Sequence, residues 1–262
     1  MLAKFNHVLF FILVGIGITT PVYATAMFNA TATTTVTLIG FADNSGPLSI
    51  QPADLRISAS AAIFNIVEET IDAATANASG NVFVNAIDIE DLGIGEGTVQ
   101  EATAEGFANS ASFSLSLASY LTDGFVVIDN SSANDYIINF ALTYIYEVTA
   151  STDAVFDSAI AEIFISVADS ADNLLVDIVA SADTNLSDGT VTGNNTVQLS
   201  IFVPSEDTEE LTILNDADGF AIAFAISTPP TLFLLFGGIV GLALFHFLNF
   251  KYFTSGPLTS RH

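Results

Sequence analysis

FSLSLA, residues Phe113–Ala118, decides the fold class. Its apolar residues Phe113, Leu115 and Leu117 alternate with Ser114 and Ser116, and Ser112 extends the polar set. A period of two belongs to an extended chain, because successive side chains of a strand point to opposite faces. Working outward, the same signature recurs. Thr33–Ile39 (TTTVTLI), Leu55–Val67, Val82–Ile89, Tyr136–Thr149 (YIINFALTYIYEVT), Ala154–Val167 and Leu174–Ala182 are alternating or rich in β-branched and aromatic residues. Phe107–Ala118, Phe125–Ile128, Thr196–Val203, Glu210–Leu214 and Phe220–Ile226 complete the set of expected strands. Turn signals separate them at Asn44-Ser45-Gly46-Pro47, Asp123-Gly124, Asp188-Gly189, Gly193-Asn194 and Asp218-Gly219. Many strands punctuated in this way predict an all-β fold, an antiparallel β-sandwich. Glu68–Ala78 (EETIDAATANA) reads either as part of this pattern or as a short helix.

Charge is distributed unevenly along the chain. All 29 acidic residues lie between Met27 and Thr228, against one basic residue, Arg56, which gives that body a formal charge of −28. Lys4, Lys251 and Arg261 lie in the terminal segments, as do His7, His246 and His262, and there is no cysteine. The composition excludes several chemistries from the body. Without histidine there is no histidine base for a nucleophile and no zinc site of the usual ligands. A strongly anionic body repels nucleic acid, so nucleic-acid binding is not expected. Paired-carboxylate hydrolysis survives in principle, but so many acids place pairs together by chance. The expectation is a non-enzymatic protein.

The ends carry addressing signals. Val8–Ile18 is an apolar run of 11 residues behind Lys4, too short to span a bilayer and followed by the break at Thr19-Thr20-Pro21. Two small-residue cleavage patterns follow, so residues 1–26 read as a signal peptide removed after Ala24 or Ala26. At the other end, Leu232–Phe250 is 19 residues without a formal charge, long enough for a transmembrane helix, with Lys251 at its margin. Between them, residues 27–228 suffice for one acidic ectodomain with a single core, and residues 229–262 form an anchor tail. The predicted location is outside the cytoplasm, held at the membrane or at the cell surface after processing. An N-terminal run without an embedded glutamate, ending at Pro21, argues against a type IV pilin.

Acidic turns are the remaining chemical motif. Asp183-Thr184-Asn185-Leu186-Ser187-Asp188-Gly189, Asn215-Asp216-Ala217-Asp218-Gly219 and Asp169-Ser170-Ala171-Asp172-Asn173 each bring oxygen ligands close in sequence. Hard cations take such ligands, so Asp183, Asn185, Asp188, Asp216 and Asp218 are candidate calcium ligands. None of the three matches an EF-hand loop, and the same residues also form ordinary turns. Glu206-Asp207-Thr208-Glu209-Glu210 reads as a solvated charge run.

The tail Ile226-Ser227-Thr228-Pro229-Pro230-Thr231-Leu232, followed by the glycine-containing apolar run, resembles the sorting signal of the PEP-CTERM exported proteins. Pro229 matches the second motif proline; Thr228 stands where that family has glutamate, Ser227 where it has the first proline, and Lys251 alone represents the basic cluster. Asp129-Asn130-Ser131-Ser132, Leu142–Tyr146 and Asp218–Ala221 are similar to stretches in a group of these proteins. The resemblance implies a bacterial surface or extracellular-matrix protein, a sorting motif at Thr228, Pro229, Pro230 and Lys251, and an exosortase-like protease as partner. Surface polysaccharide or self-association would be its further contacts; a calcium-dependent adhesive or carbohydrate-binding module is the alternative.

Overall fold

A computed structural model describes residues 24–110, 113–154, 157–186 and 189–224. The signal-peptide run, Thr228, Pro229, Pro230, Lys251, the apolar run 232–250 and Asp188 lie outside the described residues.

Eleven strands carry almost all of the described chain. They are β1 (Ala24–Asp43), β2 (Gly46–Leu48), β3 (Leu55–Ile71), β4 (Ala74–Asn85), β5 (Gly97–Ser110), β6 (Phe113–Asn130), β7 (Tyr136–Thr152), β8 (Ser158–Ala168), β9 (Leu174–Asp183), β10 (Gly189–Val203) and β11 (Asp207–Phe224). One sheet runs β10-β7-β1-β5-β4, with β2 on the end of β1; the other runs β3-β6-β11-β8-β9. All pairings are antiparallel. Five strands exceed 16 residues, and 20-residue β1 spans about 66 Å at the usual rise. The two sheets pack face to face, which is the expected sandwich.

The interior changes character along the strands. At the pole containing Ala24 and Phe224 it is lined by Ala24, Ala26, Ala30, Ala102, Ala104, Ala108, Ala159, Ala161, Ala221 and Ala223. At the opposite pole it is lined by large residues, among them Phe41, Leu55, Ile57, Ile128, Tyr136, Phe140 and Leu142. Small side chains let the sheets approach: Cα atoms of β1 and β11 come within 8 Å, against about 10 Å for sheets packed through larger residues. Two aromatic rings enter this thin half where glycine makes room. Phe28 lies between Gly106, its partner in register, and Gly219 of the facing sheet; a Cβ at either would sit less than 3 Å from the ring. Tyr120 packs over Gly80 in the same way.

A polar layer crosses the middle of the sandwich. Thr34 and Gln100 pair on one sheet, and Thr122 and Asn215 on the other. All four are at most 1% exposed. The Thr122 hydroxyl lies 2.9 Å from Gln100 Oε1 and 3.1 Å from the carbonyl of Asn215, while Asn215 Nδ2 donates to the carbonyls of Ala32 and Gln100 across the sandwich. This layer pins the two sheets in one relative register, since a slip would strand buried donors.

Several local expectations are corrected. Asp123-Gly124, Gly193-Asn194 and Asp218-Gly219 are not turns; each lies inside a long strand, in β6, β10 and β11. Their glycines serve close packing instead: a Cβ on Gly124 would meet the Gln100 amide, and one on Gly193 the Tyr146 ring. Glu68–Ala78 is not a helix but the end of β3, a tight turn with Asp72 at φ 57°, and the start of β4. Phe107–Ala118 is not one strand; β5 ends at Ser110 and β6 begins at Phe113 in the other sheet. The period of FSLSLA holds, yet the serines face the interior. Ser116 Oγ donates to the carbonyl of Thr75. Phe113 and Leu115 cluster on the outer face with Phe220, Ile222 and Phe224.

Candidate functional site

Of the candidate calcium ligands, Asp183 and Asn185 share one turn and Asp216 and Asp218 share one strand. Asp183 ends β9, and Asn185 follows in the turn to β10. Asp183 Oδ1 accepts from the Asn185 backbone N–H at 2.8 Å and from Asn185 Nδ2 at 2.9 Å, so this carboxylate closes a turn. Asp216 and Asp218 lie two residues apart within β11, on the outer face of its sheet, rather than in a loop. Asp216 is buried and lies 3.5 Å from Ser119 Oγ. The expected D-x-D-G turn is therefore a strand, whose extended backbone carries the two carboxylates apart from the β9–β10 turn. No cluster of three or more carboxylate or histidine groups capable of holding a metal occurs among the described residues.

A common rule governs the turn acids. With a single basic residue in the body, their charge is met by nearby N–H and O–H donors. Asp169 accepts from the backbone of Ala171 and Asn173 and from Asn173 Nδ2, and these bonds, the side-chain one foremost, hold its pKa below the usual value. Asp43 is lowered likewise by Ser45, and Glu96 by the backbone N–H groups of Gly93 and Ile87. These contacts missed in the sequence are visible there only as Asp or Glu two to nine residues from a loop amide.

The most unusual electrostatics lie at the alanine-rich pole. The β7–β8 loop contributes Asp153 and Asp157, and each binds one end of the described body. Asp153 Oδ1 accepts the Thr25 N–H at 2.6 Å, and the Asp153 N–H donates back to the Thr25 carbonyl at 3.1 Å. Asp157 Oδ1 accepts the Phe224 N–H at 3.0 Å. Asp157 is 6% exposed, and its Oδ2 has no protein partner among the described residues. Burial pushes its pKa up to about 7, with the Asp153 charge adding to the rise and the Phe224 N–H opposing it. Asp123, raised to about 6 by burial and by Glu210, is the second such acid. Beside this pole lies the apolar outer-face cluster; Phe113 and Phe224 pack with ring centroids 5.3 Å apart.

A shallow open groove lies on the outer face of the other sheet. Thr31 and Thr33 of β1, Ile145 and Glu147 of β7, and Thr192 and Asn194 of β10 line it. Its walls combine threonine hydroxyls, the Asn194 amide and the Glu147 carboxylate with the apolar Ile145 and the Tyr146 ring, and include no histidine, lysine or arginine. It offers hydrogen bonds and no catalytic pair.

The class defined here is a long-stranded, acidic, antiparallel β-sandwich whose described residues begin and end at one pole. No family model, curated protein or solved structure matches the chain significantly.

Proposed function

We propose that this chain is an exported, non-catalytic structural component of the cell surface or extracellular matrix, tethered or sorted through its C-terminal apolar segment. The observation that carries this reading is the position of Thr25 and Phe224, close to the two limits of the described residues, on one loop at one pole. A body attached to a bilayer through one pole projects its anionic faces into water. The sandwich also needs no disulfide, since the alanine layer and the polar belt hold it. Fractionation of cells tests the tether. The protein should stay with membranes through high-salt and carbonate washes and enter detergent extracts; recovery as a soluble cytosolic protein refutes it.

The second reading is a carbohydrate-binding module, favoured by the hydroxyl-lined groove over Thr31, Thr33, Thr192 and Asn194. A glycan array run with and without calcium separates the two. Saturable binding lost on Thr33→Val and Asn194→Leu supports the module; its absence leaves the structural role. Calcium dependence beyond that of equal ionic strength would indicate an ion site.

A further inference from the structure

We propose that the leader is cut between Ala24 and Thr25, and that the α-ammonium created at Thr25 is held by the carboxylate of Asp153. This deepens the export reading and rests on it. The reaction is hydrolysis by a leader peptidase: water adds across the Ala24–Thr25 peptide bond, the leader leaves with a carboxylate on Ala24, and the Thr25 nitrogen becomes an amine that protonates.

The sequence allows a cut after Ala24 or after Ala26, and the two differ sharply in what they leave behind. Residue 25 is gripped from both sides, by Asp153 Oδ1 at its nitrogen and by the Asp153 N–H at its carbonyl. A cut after Ala26 discards both contacts. It also removes Ala26, which is 1% exposed and paired with Ala108 on one side and Thr152 on the other. A cut after Ala24 gives up the terminal rung, Ala24 opposite Ser110, and the buried Ala24 methyl, a smaller loss than Ala24, Thr25 and Ala26 together. It keeps every rung between β1 and β7, and the nitrogen it frees already lies 2.6 Å from a carboxylate oxygen.

Charge favours the same bond. The Asp153 charge reaches Asp157, in a body whose single basic side chain, Arg56, lies opposite Asp129 at the far pole. Cutting after Ala24 delivers a cation to a loop where two acids lie near each other. A neutral amide N–H becomes a charge-assisted donor to the same oxygen.

The test uses the full chain expressed with its leader in a secreting host, purified in detergent. N-terminal peptide mass spectrometry should find Thr25 as the first residue. The rate of N-terminal acylation by an activated ester at pH 7 then reads the ion pair. A neighbouring carboxylate raises an α-amine's pKa, so Asp153→Asn, which retains an oxygen to accept the Thr25 N–H, should acylate roughly three- to tenfold faster than wild type. Met27 as the first residue overturns the assigned bond and leaves the export reading standing. Met1 as the first residue overturns both. Thr25 as the first residue with equal acylation rates refutes the ion pair.

Discussion

Replacing Phe28 with alanine probes the thin half of the sandwich more sharply than any other change. The ring is 3% exposed and lies between Gly106 and Gly219 of opposite sheets. Truncating a buried phenylalanine costs about 3–5 kcal/mol. At about 2.1 cal/mol/K per residue, the unfolding entropy of a body this size is roughly 0.4 kcal/mol/K, so 4 kcal/mol lowers Tm by about 10 °C. Gly106→Ala inserts a methyl less than 3 Å from the ring and from Ser116 Oγ, an overpacking cost of about 1–3 kcal/mol. In the double variant the methyl occupies space that the ring has left. The pair should therefore cost less than the sum of its parts, with a coupling of about 1–3 kcal/mol. Urea titration of the wild type, both single variants and the double variant measures this directly. Phe202→Ala, on the outer face at 55% exposure, is the control and should stay within about 0.5 kcal/mol. Additive single effects, or a Phe202→Ala cost equal to that of Phe28→Ala, would refute the register of β1 on β5 and the ring's seat between the glycines.

Asp157 makes a pH prediction. Its folded pKa of about 7 lies above the unfolded value of about 4, so the folded state holds the extra proton between them and stability falls as pH rises from 4 to 7. The gap is worth at most about 4 kcal/mol; with water reaching the loop, about 2 kcal/mol is expected. Asp157→Asn should melt higher than wild type at pH 7.5 and equal it near pH 4.5; identical melting curves at both would remove the buried acid from the account. Asp43, Glu96 and Asp169 oppose this trend below pH 4, because their lowered pKa values give stability that disappears as they protonate. Thr122→Val, nearly isosteric, should cost about 1–3 kcal/mol by leaving Gln100 Oε1 or the Asn215 carbonyl without its donor, as read by chemical denaturation. Raising NaCl from 10 to 300 mM should raise Tm, since like charges repel across the body and the Debye length shortens from about 30 Å to below 8 Å; a flat response would mean the acids are already compensated.

The legible parts of the fold were those with contrast between faces. β7, with its aromatic and β-branched residues, and β9 stand in the sequence nearly as they stand in the structure. β5 was missed. Its interior residues are Thr98, Gln100, Ala102, Ala104, Gly106, Ala108 and Ser110, so nothing in its alternation separates inside from outside. The same low contrast inverted the faces of β6, where Ser114 and Ser116 point into a layer too thin for leucine. Aspartate-glycine pairs misled for a related reason. A turn and a tightly packed strand both require glycine, and only the facing ring or amide distinguishes them. The pole was half legible. The alanines at 24 and 26 were noticed as cleavage residues, whereas their burial and the grip of Asp153 on Thr25 depend on a residue 128 positions away.

The central claim is that the anionic sandwich stands in water beyond the inner membrane. The chain has no cysteine, so a single introduced thiol reports its location cleanly. Gln198→Cys, exposed on the outer face of β10, should react with a membrane-impermeant maleimide in intact cells or spheroplasts as fully as after lysis. Labelling that appears only after lysis would place the body in the cytosol and contradict the account.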